Sequence, residues 1–138
     1  MMQTKILNPQ LVDQAWSDIA PFIEDAVDES CGELTVQDIK RRIEDTTAIA
    51  LCIINEDMLL AVGILEKIIY PSSKTVLGII CLGGTQMEDW VEAIDHAIVS
   101  IAEEQDCHEV RIVGRPGWVK TLKKIGWGQT HVILSKRI

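Results

Sequence analysis

The chain has 138 residues, 47% of them hydrophobic and 25% charged, and its 21 acidic and 13 basic side chains give a net charge of −8. This composition excludes a disordered chain, and the longest apolar runs are too short to span a bilayer. Residues 1–20 lack the basic start and apolar run of a secretory leader, so we expect a single cytoplasmic domain over residues 1–138.

The start of the chain predicts a helix. Asn8 and Pro9 mark a helix start, because Asn caps free amides and Pro fits the first helical position. Apolar residues then recur at three- and four-residue spacing to about Asp28, which predicts one amphipathic helix. Pro21 should kink this helix or split it in two.

A second helix and a three-stranded meander follow. Thr35 is a suitable cap for a helix over about Val36–Asp45. The next three segments are apolar and separated by short turns, which predicts antiparallel strands with a bulge or bend near Gly63. Their ranges are Ala48–Ile54, Met58–Tyr70 and Lys74–Leu82. The third segment is almost entirely apolar and should be central, with both faces covered.

The last part of the chain alternates helices and strands. Thr85, with Glu88 three residues later, should cap a long helix that begins after Gly84. The remaining predicted elements are a strand at Glu109–Val113, a short basic helix at Trp118–Ile125 and a final strand at Trp127–Leu134. Gly126 should end the short helix.

Cysteine and histidine placement argues against a disulfide framework or a metal centre. Cys52 and Cys81 lie inside apolar runs and predict buried free thiols. Cys31, next to Gly32 in a polar stretch, should be the most exposed thiol. No histidine lies at metal-ligand spacing from another ligand, so no metal site is predicted.

The order of elements resembles the GNAT superfamily of acetyl-CoA-dependent N-acetyltransferases. The run Arg115–Trp127 is similar to the late helix and turn of that family, above all in its ending Leu-Lys-Lys-Ile-Gly-Trp. It also resembles small GNAT-like proteins of tailed bacteriophages, which carry a Gly-Arg-x-Gly-Trp turn. The resemblance implies an α+β fold with a central mixed, mostly antiparallel sheet and helices on both faces. It also implies that Met2–Leu7 is the remnant of the family's first strand, which the sequence itself does not make obvious.

The family binds the pyrophosphate of CoA at a glycine-rich loop after its fourth strand. The equivalent segment here is Leu82–Asp89, which has two glycines at a different spacing and no basic residue. The candidate cofactor-binding residues in it are Gly83, Gly84 and Thr85. Glu88 and Asp89 would repel a pyrophosphate, so a simple strand-to-helix turn is the other interpretation.

The catalytic residues of the family are not retained at the matching positions. Leu122 stands where many members have a tyrosine that acts as general acid, and Arg115 and Trp118 replace an asparagine and an alanine. If the chain is an enzyme, Glu66 is the candidate general base, because GNAT bases are often glutamates on this strand. A solvent-facing strand carboxylate is the alternative, and Tyr70 is expected to cap the core.

Arg115 and Trp118 are also candidate cofactor-binding residues. In the resembling fold, the Gly-Arg-Pro-Gly-Trp turn lies near the pantetheine arm, where a cation and an indole could bind phosphate or stack on adenine. The same pair could anchor the helix to the sheet or belong to a protein interface. Three lysines on the following helix, Lys120, Lys123 and Lys124, are expected to form a solvated face, so nucleic-acid binding is not expected.

The charge is unevenly placed. Residues 1–106 carry six basic and twenty acidic side chains, a net −14, whereas residues 107–138 carry seven basic and one acidic, a net +6. Either the basic elements pack against the acidic ones, within one molecule or across a homodimer, or they form a basic face for phosphates or an acidic partner.

Two functions therefore stay open. One is a degenerate GNAT-like protein of phage type that binds a virion or host protein, in the host cytoplasm or in the virion. The other is an active N-acetyltransferase that uses acetyl-CoA and an unknown amine.

Overall fold

A computed structural model of the chain describes residues 2–28, 32–113 and 116–138. In these residues one sheet contains five strands in the spatial order β1-β2-β3-β4-β5. The strands are β1 Met2–Ile6, β2 Ile49–Asn55, β3 Met58–Ile69, β4 Thr75–Gly84 and β5 Glu109–Ile112. The helices are α1 Val12–Asp28, α2 Val36–Glu44, α3 Met87–Glu104 and α4 Pro116–Lys123, with a short 3₁₀ turn at Pro9–Leu11.

The sheet is mixed and mostly antiparallel, as predicted. β1 to β4 pair antiparallel, and β5 pairs parallel to β4. The long helix α3 joins β4 to β5 and makes this parallel connection possible. β4 has a neighbour on each side and buries most of its residues, which confirms its predicted central position.

Helices cover both faces of the sheet. The face under α1 and α2 carries one cluster of buried side chains, which includes Ile19 and Ile43 of the helices and Ile64 of β3. The face under α3 carries a second cluster, centred on Trp90 and Ile98. The structure is therefore an α+β arrangement with three layers, and β4 contributes to both clusters.

The helix starts predicted at Asn8 and Thr35 are confirmed. The Asn8 side chain accepts a hydrogen bond from the Gln10 amide at 3.0 Å, and the Thr35 hydroxyl accepts one from the Asp38 amide at 3.1 Å. α1 runs through Pro21 without a break, so the expected split does not occur.

The predicted cap of α3 is wrong. The N-cap is Gln86, in a left-handed conformation with φ 55° and no side-chain cap bond. Thr85 is instead held by the sheet and the helix: its amide donates to the Leu60 carbonyl at 3.0 Å, and its carbonyl accepts the indole N–H of Trp90 at 2.6 Å. These two bonds fix the entry into α3 one residue later than the capping pattern predicts.

The irregularity predicted near Gly63 is confirmed, although Gly63 itself stays in register. Gly63 pairs regularly with Leu51 and Leu82. The register shifts occur beside it and leave two residues without a partner in the ladder: Leu60 between β3 and β2, and Ile80 between β4 and β3. Such an extra residue bends a strand and increases its twist.

The final strand predicted at Trp127–Leu134 is absent. α4 ends at Lys123, Gly126 follows with φ +95°, and residues 127–138 form neither helix nor strand. A strand forms only where a neighbouring strand takes up its hydrogen bonds, and no described strand of the chain pairs with this segment.

Across the described ranges, no helix combines the length and the apolar content that crossing a membrane would need.

Candidate functional site

β4 extends beyond the carboxyl end of its parallel neighbour β5, and this unpaired stretch of β4 is where a site could form. The β4–β5 pairing runs from Val76 opposite Glu109 to Ile79 opposite Ile112. β4 then continues to Gly84 without β5 beside it, and the extra residue Ile80 comes where the pairing ends. A crevice beyond the carboxyl ends of parallel strands is a usual place for a ligand in α/β sheets.

Glu66, the candidate base, lies on β3 close to this point, but it is already paired. Arg42 at the end of α2 donates to one Glu66 oxygen at 2.8 Å and lies 3.0 Å from a carboxylate oxygen of Asp38. The Glu66 side chain is 31% exposed. The expectation of a simple solvent-facing carboxylate is therefore incomplete, because Glu66 is a half-buried member of a network with two other charged residues.

A glycine separates Glu66 from a second half-buried charge. Glu66 pairs with Gly78 on β4, and Gly78 pairs with Arg111 on β5. The three residues form one row across the sheet, and residues in such a row point to the same face. Gly78 has no side chain, although the side chain of Ile68 lies 3.0 Å from where a Cβ would stand.

Arg111 is held by its neighbours on β5 and β3. It donates to the Tyr70 hydroxyl at 2.8 Å, lies over the Tyr70 ring at 5.5 Å, and contacts a Glu109 oxygen at 3.3 Å. Its Nε is buried and has no hydrogen-bond partner. Tyr70 is thus a partner of Arg111 at the edge of the sheet, rather than only a cap on the core.

Glu109 and His108 tie the start of β5 to β4. Lys74 binds Glu109 at 2.5 Å, and this hydrogen bond, with help from Arg111, holds the pKa of Glu109 below its ordinary value. The Thr75 amide donates to Nδ1 of His108 at 3.0 Å. These contacts hold the parallel strand pair together.

The sequence did not predict the partners of Glu66 and Tyr70. Arg42 lies 24 residues from Glu66, and Arg111 lies 41 residues from Tyr70. The sequence did contain one sign of such a partner, the carboxylate of Glu66 within an apolar strand. A carboxylate is seldom buried without a cationic partner.

Gly83 and Gly84, at the end of β4, allow α1 and β3 to pack closely against the strand. A Cβ on Gly83 would lie 2.1 Å from the Phe22 carbonyl oxygen of α1, and one on Gly84 would lie 2.6 Å from the Ala61 side chain of β3. Gly84 still pairs with Ala61 in the sheet, and the Thr85 amide is bound to Leu60. The segment Gly83–Thr85 is therefore a tightly packed turn into α3.

The first turn of α3 carries the predicted acidic pair. Glu88 and Asp89 lie there, where negative charge suits the helix dipole. Their charge also opposes an incoming phosphate at this helix end.

Two tryptophans pack the C-terminal region onto the α3 side of the sheet. Trp118 and Trp127 are partly buried against the core cluster under α3, and the Trp127 indole donates to Asp95 at 2.7 Å. This contact pattern corresponds to the anchoring interpretation of Trp118. Arg115, the other half of the predicted pair, lies outside the described residues.

Leu122, which the sequence resemblance matches to the family's tyrosine, is buried in α4 and only 8% exposed. The side chain therefore contributes to packing, and it has no proton to transfer.

The buried thiols predicted at Cys52 and Cys81 are confirmed, at 7% and 5% exposure. Burial raises the pKa of each thiol to about 11, so neither is a thiolate near neutral pH. Cys31 lies outside the described residues. In the described ranges, no three potential ligands converge on a metal position.

Comparison with known proteins identifies the architecture. No protein-family model matches the sequence, and no curated protein is significantly similar to it. Solved structures do match over the whole chain. A predicted acetyltransferase from Clostridium acetobutylicum, with acetyl-CoA, superimposes with a TM-score of 0.73 at 11% identity over 99% of this chain and 96% of that one.

Two further structures match equally broadly. The ribosomal-protein-alanine N-acetyltransferase of Brucella melitensis biovar Abortus gives a TM-score of 0.72 at 12% identity, covering 100% of this chain and 99% of its own. A GCN5-related N-acetyltransferase from Ralstonia eutropha gives 0.68 at 13% identity, with 100% and 99% covered. At such identities the likeness concerns the fold, and the chain has the fold of the GNAT acetyltransferases.

Proposed function

We infer that this chain is a non-catalytic protein on the acetyltransferase fold, of the phage type its Gly-Arg-Pro-Gly-Trp turn resembles, and that it acts by binding a virion or host protein. The observation that carries this proposal is the burial of Leu122, 8% exposed, at the position matched to the family's tyrosine acid. A leucine cannot protonate a leaving thiolate, and its burial gives it a packing role instead.

The turn into α3 supports the same proposal. A phosphate cradle needs backbone amides that are free to donate. The Thr85 amide is already bound to Leu60. Glu88 and Asp89 add negative charge in the next turn, so the segment offers a pyrophosphate neither a free donor at Thr85 nor a favourable field.

The uneven charge supports a role in protein binding. The net −14 of residues 1–106 and the net +6 of residues 107–138 offer a partner two regions of opposite sign. Complementary charge speeds association and selects partners.

An acetyl-CoA-dependent N-acetyltransferase remains the second candidate, and one feature favours it. The pairing of β4 with β5 ends at Ile79, with the extra residue Ile80 directly after it. Glu66 and Arg111 lie on either side of Gly78, one row before this end. In this alternative Glu66 is the base that takes a proton from the amine, and acetyl-CoA, which supplies the acetyl group, binds beside the unpaired end of β4.

An acetyl-transfer assay separates the two candidates. Purified protein is incubated with acetyl-CoA and a panel of primary amines, and release of the CoA thiol is measured. The proposal predicts no release above the uncatalysed rate. Release that falls to background in Glu66→Gln, but persists in the control Glu56→Gln, would establish the enzyme instead. Glu56 is exposed in the β2–β3 turn, and a thermal melt of each variant checks that it folds.

The binding half of the proposal needs its own test. Chemical cross-linking of the chain to its neighbours in the cells that express it, followed by mass spectrometry, identifies candidate protein partners. Calorimetric titration of each purified candidate then decides between binding and coincidence. A saturable one-to-one isotherm with one candidate supports the proposal, and heats indistinguishable from dilution for all candidates contradict it.

A further inference from the structure

The outer edge of β1 is open. β1 is the first strand of the sheet, and within the described residues only β2 pairs with it. Four of its five residues are exposed, and the Ile6 side chain is 56% exposed. An open edge is a template for another strand, because its amides and carbonyls have no partner in the sheet. This edge therefore offers a place for a further strand.

The pairing of β1 with β2 determines which backbone groups of β1 face outward. The Leu7 amide donates to the Ala50 carbonyl at 2.9 Å, and the register continues along β1 without a shift. In an antiparallel pair, residues that exchange hydrogen bonds alternate with residues that do not. Gln3 and Lys5 therefore bond to β2, as Leu7 does. The amides and carbonyls that face away from the sheet belong to Met2, Thr4 and Ile6.

The sequence of β1 is self-complementary in one antiparallel register. If Thr4 lies opposite Thr4 of a second copy, Met2 lies opposite Ile6, and Gln3 lies opposite Lys5. Each outward-facing amide and carbonyl then meets one of the other copy, because the residues that face outward lie opposite each other. A register centred on Lys5 would oppose two lysines, and like charges directly opposite each other are destabilising. The register centred on Thr4 is therefore the favoured one.

A groove beside this edge adds charge complementarity. It has a volume of about 310 Å³ and is lined by Gln3, Lys5, Ile54, Glu56 and Asp57. In the register centred on Thr4, the lysine of the second copy lies opposite Gln3, and so beside the two carboxylates of the groove. A two-fold axis repeats the contact in the other direction, because the same patch serves both copies. The groove therefore favours a second copy of this chain as the occupant of the edge.

We propose that β1 pairs antiparallel with β1 of a second copy about a two-fold axis at Thr4, so that the two sheets continue as one. Main-chain hydrogen bonds hold the two edges together. Met2 packs on the core cluster under α3, and Ile6 of the other copy meets it on that face. Because an edge of five residues is smaller than a standard interface, the dimer should be weak and dependent on concentration. This inference does not depend on the proposed function, since neither CoA nor another protein takes part.

Sedimentation of the full chain tests the proposal, with two variants of Thr4. Thr4→Pro removes an outward-facing amide and leaves the hydrogen bonds between β1 and β2 in place. Thr4→Val keeps the amide and the strand propensity. We expect wild type and Thr4→Val to approach twice 15.4 kDa as concentration rises, and Thr4→Pro to stay at the monomer mass. A thermal melt at low concentration checks that each variant folds.

A charge exchange between copies tests the register. Lys5→Glu and Asp57→Lys each replace an attractive contact between copies by a repulsive one, so each variant alone should dimerise about tenfold more weakly. An equimolar mixture of the two restores both attractive contacts, because the new carboxylate of one variant meets the new lysine of the other. Within either chain the two positions still repel, so recovery in the mixture reports pairing between copies.

Hydrogen exchange measured by NMR identifies the edge that is used. The amides of Met2, Thr4 and Ile6 should gain protection as concentration rises, whereas Gln3 and Lys5 are protected by β2 at every concentration. The proposal is overturned by a monomer at every attainable concentration, by a dimer that survives Thr4→Pro, or by a mixture of the charge variants that dimerises no better than each variant alone. Protection that appears at β5 instead of β1 as the dimer forms would contradict it as well.

Discussion

Leu122 contributes to the stability of the fold at a position where the resembling family has a catalytic tyrosine. It is buried in the short helix α4 and lies between Trp118 and Trp127 in the sequence. We predict that Leu122→Ala lowers the free energy of unfolding by about 2–5 kcal/mol, because it removes buried methyl groups and leaves a cavity. Urea denaturation measures this loss.

The matched control for Leu122 is Val119→Ala in the same helix. Val119 is 43% exposed, so its truncation should change stability by less than about 0.5–1 kcal/mol. Equal losses in the two variants would contradict the packing role given to Leu122.

The two buried thiols give a prediction about alkaline pH. The pKa of Cys52 and Cys81 is about 11 in the folded chain, against about 8.5 for a free cysteine. Above that ordinary value the unfolded chain loses thiol protons and the folded chain keeps them. Stability should therefore fall as pH rises from about 8.5 towards 11, by up to about 1.4 kcal/mol per pH unit for each thiol.

Denaturation curves at several alkaline pH values check this slope. A Cys52→Ala, Cys81→Ala double variant should be less stable at neutral pH and should show a shallower fall. An unchanged slope in the double variant would mean that other groups cause the alkaline loss.

The sequence predicted the environment of single residues correctly where that environment depends only on burial in an apolar run. Cys52 and Cys81 lie in apolar runs, and their burial follows from that pattern alone. The pairing of Glu66 with Arg42 did not follow, because the two residues meet only after α2 packs beside β3. The same reason hid the contact between Arg111 and Tyr70.

At the scale of elements, the contact between α1 and the end of β4 depends on Gly83. A Cβ there would lie 2.1 Å from the Phe22 carbonyl oxygen, which belongs to the rigid backbone of a helix. We predict that Gly83→Ala lowers the free energy of unfolding by about 1–3 kcal/mol or more, because α1 must move away from the sheet.

Gly128→Ala is the control for this substitution. Nothing lies within 4 Å of a Cβ on Gly128, so its stability should stay within about 0.5 kcal/mol of wild type. Thermal melts of both variants measure the two changes in stability. A Gly83→Ala protein as stable as Gly128→Ala would show that the contact is loose.

Elements were predictable where local pattern and capping agree. Asn8 and Thr35 start helices as expected, and the turns between apolar runs gave the meander β2–β4. Thr85 failed as a cap because the sheet and Trp90 hold it, a constraint that comes from tertiary structure. The strand expected at Trp127–Leu134 failed because strand-forming residues also need a partner edge.

At the scale of the whole molecule, the order of elements was enough to find the fold, although solved structures of that fold share only about a tenth of its residues. The sheet topology and the two helical layers follow from that order. Fold does not determine chemistry, because function depends on particular groups at the site. β4 continues beyond β5, the residue matched to the family's tyrosine is the buried Leu122, and Glu88 and Asp89 lie in the first turn of α3.

Calorimetric titration with acetyl-CoA, with a thermal melt beside it, tests this account most directly. The account predicts no saturable heat and an unchanged melting temperature at millimolar ligand. A ligand that binds should stabilise the protein by about 2.7 kcal/mol at 100 times its dissociation constant. Micromolar binding with a clear rise in melting temperature would contradict the account and show that the chain has a working acetyl-CoA site.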